Sequence, residues 1–290
     1  MRLGTRASAL ALAQAEWVAA RLGGDVEIVK ITTLGDRGAA TEDKSRWVSE
    51  LEHALLDGRI DVAVHSAKDV PTDLGDDLDL VAIPERADAR DVICGAASLA
   101  ALRSGARIGT SSVRRAAQIR SLRDDVEVVE LRGNVDTRMR KLAEGQVDAL
   151  VLARAGLQRL GRDSEAGGVL DELVPAAGQG ALALEARHDS LDPSTLTHVI
   201  DVATAACVQA ERELVHALGA SCNTPVGAYA RLLHGDVVEL VGWVGLPDGS
   251  AWLRDAVTLS AEDAGPACAE RMLAAGAGEM LREAERVLAP

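Results

Sequence analysis

The sequence predicts an α/β protein made of two similar lobes in tandem, followed by a small α+β domain. Three observations lead to this fold class. The first half contains an internal repeat, the residue pattern changes after about residue 200, and 290 residues suffice for two or three domains. A hydrophobic content of 48% argues against disorder.

The repeat places the same elements in the same order twice. A Gly-Thr pair occurs at positions 4 and 109, and each pair opens a segment with helical spacing of apolar residues, 8–22 and 112–122. Segments 25–29 and 125–129 are rich in β-branched residues and predict strands. A helix and a further strand follow in each copy, at 58–64 and 145–151. This order predicts parallel sheets with helical crossovers.

Two breaks in composition divide the chain into its domains. They lie at residues 83–90 and 175–180, and the glycines of the second could form a hinge. We expect a first lobe from residues 1–86 with 179–199, a second lobe from 87–178 and a C-terminal domain from 200–290. Within the last, we expect a helix at 202–218, strands at 226–232 and 237–244, and one amphipathic helix over about 261–287.

The charge balance limits the classes of function. With 31 basic against 45 acidic residues and five aromatics, the chain has no overall attraction for nucleic acid or anionic lipid. Between positions 103 and 141 the sign reverses, to ten basic against five acidic residues. A ligand that is itself anionic, bound between the lobes, would explain this local reversal.

The sequence gives no sign of a membrane segment, of export or of a metal. The start lacks the pattern of a signal peptide, and the apolar stretch 9–22 contains Gln14 and Glu16. The four cysteines form no metal-binding pattern with each other or with histidines. We therefore expect a cytoplasmic protein without a metal.

The segment 109–115 predicts an anion site. Thr110, Ser111 and Ser112 lie where a helix N-cap belongs, and Arg114 and Arg115 follow. An ordinary N-cap followed by solvated arginines is an equally open interpretation. Residues 4–8 occupy the matching place in the first lobe, which favours two helix N-termini facing one cleft.

Two further segments carry candidate functional residues. Asp69 follows Lys68 at the end of a predicted buried strand, and an ionised carboxylate there could stabilise a developing cation. A structural turn aspartate is the alternative, and His65 is expected to be a packed strand residue. In the segment 132–138, Gly133 permits a tight turn between two arginines, which could also be merely solvated.

One cysteine stands apart from the other three. Cys222 lies in a loop of small residues, 219–227, whereas Cys94, Cys207 and Cys268 lie in apolar or helical patterns. No catalytic triad is recognisable around Cys222, so an attachment point is a better interpretation than a nucleophile.

Taken together, these segments resemble the porphobilinogen deaminase family. The resemblance runs along essentially the whole chain and is carried, in order, by residues 4–14, 61–71, 109–115, 132–138, 155–161, 175–182 and the Cys222 loop. It implies two lobes like those of type II periplasmic binding proteins. We expect the protein to be a monomer. It also implies a transferase that joins four porphobilinogen molecules head to tail, with loss of ammonia, to give hydroxymethylbilane.

The resemblance further implies a dipyrromethane cofactor held by a thioether to Cys222, with Asp69 as the catalytic carboxylate. Each pyrrole carries two carboxylates, which arginines, lysines and neutral donors would bind. The residues at matching positions for substrate or cofactor are Arg6, Ser8, Gln14, Lys44, Ser66, Lys68, Thr110, Ser111, Ser112, Arg114, Arg115, Arg132, Gly133, Arg138, Arg159 and Gln179. No metal or nucleotide is implied.

This chain departs from the family pattern in three places. Ala220 and Ser221 replace two glycines before Cys222, which stiffens that loop. The lid segment 44–52 has Trp47 as its aromatic cover but lacks a glycine and a second lysine. Ala67 replaces a larger apolar residue. A non-catalytic two-lobed anion-binding module and a degenerate paralogue are the alternative functions.

Overall fold

The computed structural model describes residues 1–31, 45–72, 74–220 and 224–288. These residues form two five-stranded sheets and one three-stranded sheet, each packed against helices. In chain order the strands are β1 (Arg2–Arg6), β2 (Glu27–Ile31), β3 (Val62–Ser66), β4 (Leu78–Ala82), β5 (Asp91–Cys94), β6 (Arg107–Thr110), β7 (Glu127–Glu130), β8 (Ala149–Ala153), β9 (Gly168–Leu170), β10 (Leu182–Arg187), β11 (Val226–His234), β12 (Val237–Gly245) and β13 (Trp252–Ser260). The helices are α1 (Ala9–Leu22), α2 (Ser45–Leu56), α3 (Val113–Leu122), α4 (Val135–Ala143), α5 (Arg154–Arg159), α6 (Val202–Ala217), α7 (Ala261–Ala274) and α8 (Ala277–Leu288).

The two large sheets have the same strand order, which confirms the internal repeat. The first reads β2-β1-β3-β10-β4 and the second β7-β6-β8-β5-β9. The three strands expected in each copy are parallel to one another, as predicted. Each sheet also contains one antiparallel strand. In the first sheet it is β10, next to β3, and in the second sheet it is β5, next to β8. The repeat alone did not indicate these two strands.

Strands β5 and β10 come at the ends of two connections between the lobes. Residues 83–90 join β4 in the first sheet to β5 in the second, and residues 171–181 join β9 in the second sheet to β10 in the first. Both composition breaks seen in the sequence therefore lie within these connections. The exact domain limits stay a prediction.

The interior of each lobe consists of aliphatic side chains on both faces of its sheet. Leu3, Leu182 and Leu184 are fully buried on one face of the first sheet. Ile93 and Ile108 are fully buried in the second. Burying one such side chain contributes about 1.5–3 kcal/mol, so the two cores hold rigid platforms for the loops at the strand ends.

The C-terminal domain confirms the small α+β prediction and corrects it in one place. Strands β11, β12 and β13 form an antiparallel sheet against α6, α7 and α8. The single helix expected over about 261–287 is wrong, because α7 ends at Ala274 and Gly276 adopts a φ of 103° before α8 begins. In the described parts of the chain, no helix combines the length and apolarity needed to cross a bilayer.

Candidate functional site

Serines cap the two helices that follow β1 and β6, α1 and α3. The Ser8 hydroxyl accepts a hydrogen bond from the N–H of Ala11 at 3.3 Å, and the Ser112 hydroxyl accepts one from the N–H of Arg115 at 3.4 Å. The predicted N-cap within positions 110–112 is thereby confirmed. The Thr110 hydroxyl accepts from the N–H of Ser112 at 3.1 Å. Since a hydroxyl that accepts retains its own proton, capping leaves these side chains able to donate to an anion.

The first lobe gathers several predicted residues at one edge of its sheet. Strands β1 and β3 are parallel neighbours that end at Arg6 and Ser66. The buried amide of Gln14, on α1, donates to the Ser66 hydroxyl at 2.9 Å. The carboxyl ends of the strands and the start of α1 therefore meet at one place.

Asp69 lies at this same edge. It ends a single 3₁₀ turn, Ala67–Asp69, that follows β3 directly. Ala67 is buried, and its N–H donates to the carbonyl of Ala181 at 3.0 Å, which ties the turn to the chain entering β10. Asp69 itself is half-buried. The carboxylate is therefore carried by a fixed backbone and remains partly accessible.

The strand that leads to Asp69 is packed as predicted. His65 is 5% exposed, and its Nε2 lies 2.9 Å from the Glu185 carboxylate on the neighbouring β10. This contact joins two strands inside the first sheet, so His65 is a packed strand residue.

Gln179 joins the two lobes at the site. Its side-chain oxygen accepts from the Lys68 ammonium and from the Arg115 guanidinium, each at 3.4 Å. Its amide nitrogen donates to the carbonyl of Ala89 at 2.6 Å and to the Asp91 carboxylate at 2.7 Å. Lys68 of the first lobe and Arg115 of the second are therefore neighbours through one side chain.

Arg114 and Arg115 are engaged with a carboxylate that the sequence did not single out. Asp91, fully buried at the start of β5, accepts from both guanidinium groups at 2.8 Å. Arg114 also donates to the carbonyl of Val174, and Arg115 to that of Val151. Both arginines are buried, so the interpretation of solvated arginines is wrong for these two. Their role in binding substrate stays a prediction.

The charge of the two arginines sets the protonation state of Asp91. Burial on its own raises the pKa of this carboxyl, but the charges of Arg114 and Arg115 and their hydrogen bonds more than offset burial, and the pKa is lowered. Burial in turn lowers the pKa of Arg114. The three groups therefore form a charged cluster inside the protein, between α3 and the connection that carries Gln179.

Arg138 and Arg159 differ from Arg114 and Arg115 in their hydrogen-bond partners. Arg138 donates to the Ser111 hydroxyl at 3.0 Å, and its Nε is buried without a hydrogen-bond partner. Arg159 donates to the carbonyl of Gly180 at 2.7 Å. Burial lowers the pKa of each to about 10, with the charge of Arg115 adding to the effect at Arg138. Among the residues that the structure describes, neither forms an ion pair with a carboxylate.

The segment 132–138 combines a required glycine with an exposed arginine. Gly133 has a φ of 127°, and a Cβ there would lie 2.8 Å from the Thr137 side chain. Asn134 caps α4 by accepting from the N–H of Thr137 at 2.9 Å. Arg132 is exposed and paired with Glu130. Arg138 at the end of the segment thus contacts Ser111, whereas Arg132 at its start contacts Glu130.

Three predicted site residues cannot be placed. Lys44 and Cys222 lie outside the described residues, as does the side chain of Trp47.

The sequence interpretation missed a second buried carboxylate near the site. Glu211, on α6, is fully buried and accepts from Arg86 at 2.7 Å, from the N–H of Gly178 at 2.7 Å and from the N–H of Ala230 at 2.8 Å. It thus ties both connections between the lobes to the C-terminal domain. The sequence did indicate that Glu211 is buried, because Glu211 lies on the same helix face as the buried Cys207 and Leu214.

Comparisons with known proteins give matches to one family along almost the full chain. A family model described as "Porphobilinogen deaminase, dipyromethane cofactor binding domain" matches residues 1–194, and one described as "Porphobilinogen deaminase, C-terminal domain" matches residues 205–274. A porphobilinogen deaminase of Brevibacillus brevis is 43% identical over 98% of this chain and 97% of its own. That of Deinococcus deserti is 47% identical over 87% of each chain.

Solved structures of other proteins resemble the two lobes at a low level. The methionine-binding protein MetQ has a TM-score of 0.43 at 17% identity, over 69% of this chain and 88% of its own. A periplasmic substrate-binding protein of an ABC transporter from Coxiella burnetii also has a TM-score of 0.43, at 16% identity, over 71% and 94%.

Proposed function

The chain belongs to the porphobilinogen deaminase family, and from this premise we propose that it is a hydroxymethylbilane synthase with Asp69 as its catalytic carboxylate. It is a transferase of tetrapyrrole biosynthesis with a dipyrromethane cofactor. The reaction we propose joins four porphobilinogen molecules head to tail, releases one ammonia at each condensation and frees the product by hydrolysis.

The observation that carries this proposal is the burial of Arg138 and Arg159 without a carboxylate partner among the described residues. Both are half-buried cations whose pKa is lowered by burial, and neither meets a carboxylate among the described residues. Desolvating a cation without an anionic partner costs folding free energy. A substrate that brings several carboxylates would supply the missing partners, and porphobilinogen carries an acetate and a propionate.

The residues around Asp69 suit the condensation of pyrroles. An ionised carboxylate can accept hydrogen bonds from a pyrrole N–H with both oxygens, and it opposes the positive charge that develops on the substrate as ammonia leaves. Lys68, held by the side-chain oxygen of Gln179, would orient a substrate carboxylate at the same place. The fixed backbone of the 3₁₀ turn would hold the Asp69 carboxylate in position during the reaction.

The described residues also fit the dipyrromethane. Its acidic side chains would be held by Ser111, Ser112 and Arg138, where the buried Nε of Arg138 has no hydrogen-bond partner. When bound, the dipyrromethane supplies the pyrrole to which the first substrate molecule is joined. We propose Cys222 as the attachment point, supported by the resemblance of its loop to the family pattern. The other three cysteines are buried, and burial raises the pKa of Cys94 and Cys268 to about 11.

The intact mass of the purified chain tests this proposal most directly. We expect a mass that exceeds the sequence mass by two pyrrole units, and loss of this excess in Cys222→Ser. Cys207→Ala is the matched control and should keep the adduct, because Cys207 is buried in the core of the C-terminal domain. A fully active protein without added mass would contradict the assignment of the cofactor. Binding of porphobilinogen without release of ammonia would favour the non-catalytic module.

A substitution at Arg138 separates a binding role from a structural one. We expect Arg138→Met in the Cys222→Ser background, which lacks the dipyrromethane, to keep or raise the melting temperature, because a half-buried cation without a carboxylate partner is removed. The kinetic effect is measured on Arg138→Met alone. The KM for porphobilinogen should rise about tenfold or more, because a charged hydrogen bond to substrate is lost. Steady-state kinetics and thermal unfolding measure the two effects.

Arg140→Met is the control for Arg138. Arg140 lies on the same helix, is exposed and pairs with Glu144 at 2.6 Å. Its substitution should leave the KM unchanged. A fall in stability at Arg138→Met with an unchanged KM would show that Arg138 serves the fold instead.

We further propose that the enzyme is a cytoplasmic monomer. One chain supplies the predicted site residues of both lobes, and Gln179 joins them within that chain. The described cysteines are free thiols, which suits a reducing compartment. Light scattering of the purified chain would test the oligomeric state.

A further inference from the structure

Helix α6 of the C-terminal domain turns one of its faces toward the segment that follows Asp69. Ala205 and Val208, one turn apart on α6, pack with the buried Ala67 and Val70 in a single apolar cluster. Other α6 residues, including Ala210 and Leu214, pack into the core of the C-terminal domain. The helix therefore lies between the domain core and the backbone that carries the proposed catalytic carboxylate.

Arg212 extends this face by one more turn and binds the same segment through its guanidinium. It donates to the carbonyl of Val70 at 3.1 Å, to that of Pro71 at 2.6 Å and to that of Thr72 at 3.2 Å. Three consecutive carbonyls are thus held by one planar cation. Hydrogen bonds from a charged donor are stronger than those between neutral groups, and the rigid fork of arginine sets their geometry.

The 3₁₀ turn holds the start of this segment. The N–H of Val70 donates to the carbonyl of Ala67 at 3.3 Å, which closes the 3₁₀ turn, and Pro71 has no N–H to donate. Upstream, the turn is attached to the first lobe through the N–H of Ala67. Asp69 therefore lies between an attachment to the first lobe and the attachment at Arg212.

We propose that Arg212 is a positioning residue, which fixes the Asp69 carboxylate from the C-terminal domain by clamping the three carbonyls after it. This inference rests on the proposed function of Asp69. Arg212 lies on the helix that leads to the loop of Cys222. One helix therefore connects the backbone of the catalytic carboxylate to the segment where the cofactor is proposed to be attached.

The test compares kcat with KM in Arg212→Met, which keeps much of the side-chain length but donates no hydrogen bond. Displacing a catalytic group by a fraction of an ångström to 1 Å lowers the rate of the chemical step by about ten- to a hundredfold. We expect a fall in kcat of this size with the KM within twofold of the parent, because the carboxylate-binding arginines are untouched. The intact mass should still show the dipyrromethane adduct.

Arg212→Lys keeps the charge and stem and is the conservative variant. Its single ammonium cannot match three carbonyls at once, so its kcat should lie between those of the parent and Arg212→Met. It also provides the kinetic result if Arg212→Met does not fold.

Arg120→Met is the matched control for a merely structural contact. Arg120, on α3, also joins a lobe to the C-terminal domain, by donating to the carbonyls of Pro247 at 2.7 Å and Val128 at 3.3 Å. It should lower the melting temperature without changing kcat. A kcat within twofold of the parent in both Arg212 variants, or an equal fall in Arg120→Met, overturns the proposal. Failure of the parent itself to release ammonia from porphobilinogen would instead refute the proposed function.

Discussion

Asp69→Asn is expected to lower turnover of porphobilinogen by about two to three orders of magnitude, the size of effect found when one electrostatic stabiliser of a transition state is removed. Asparagine has nearly the same shape, and the turn that carries position 69 is held by the backbone contacts of Ala67 and Val70. The substitution therefore removes the negative charge and leaves the fold. Release of ammonia in single and multiple turnovers measures the loss.

The KM gives a second expectation for Asp69→Asn. Arg138, Arg159 and Lys68 would bind the substrate carboxylates whether or not Asp69 is charged, so the KM should change far less than kcat. A large rise in KM with little change in kcat would place Asp69 among the binding residues.

Asp76→Asn serves as the control for the loss of one carboxylate. Asp76 is exposed, lies seven residues further along the same lobe and precedes β4. The same change of charge there should leave turnover and melting temperature near those of the parent. If Asp69→Asn retained more than a tenth of the parent turnover, the assignment of Asp69 as the catalytic carboxylate would be wrong.

The sequence predicted those elements of the fold that depend on local residue patterns. The Gly-Thr pairs, the capping serines and the β-branched segments recur at matching positions, and the strands and helices formed there in both lobes. Strands β5 and β10 were missed because each pairs only with strands that are distant in sequence, β5 with β8 and β9, and β10 with β3 and β4. The break between α7 and α8 was missed because buried residues recur at helical spacing on both sides of Gly276.

Contacts over long sequence distances explain what was missed at the site. Ser112 could be predicted as an N-cap from its neighbours alone. Asp91 could not be predicted as the partner of Arg114 and Arg115, because only the folded sheet brings β5 beside α3. The same holds for Arg212, whose carbonyl partners lie about 140 residues earlier. Sequence patterns thus indicate groups that could contact a ligand, whereas the groups that hold them in place appear only in the structure.

Asp91→Asn should be the most destabilising of these substitutions. It leaves the guanidinium groups of Arg114 and Arg115 buried with no carboxylate between them, at exposures of 4% and 6%. Breaking a buried ion pair from one side costs about 3–5 kcal/mol. For domains of this size the melting temperature should fall by roughly 10 °C. Thermal and urea unfolding at neutral pH measure the effect.

The pH dependence of the loss of stability in Asp91→Asn identifies its cause. The pKa of Asp91 is lowered in the folded protein, so the cluster stabilises the fold above the unfolded-state pKa of this carboxyl, for which the ordinary value is 3.8. That contribution is lost as the pH falls below this value toward the folded pKa. The difference in unfolding free energy between the parent and Asp91→Asn should therefore be constant between about pH 5 and 7 and shrink below about pH 4.

A surface pair provides the control for Asp91. Asp125 also has a lowered pKa, caused first by its hydrogen bond with Arg123, but this carboxylate is exposed. Asp125→Asn should change stability little, because solvent screens exposed ion pairs. The contrary result would be that Asp91→Asn destabilises the fold as little as Asp125→Asn does. In that case the two buried guanidinium groups would not need Asp91 to offset the cost of their desolvation. Arg114 and Arg115 would then be able to release Asp91 and bind substrate carboxylates at little cost to the fold.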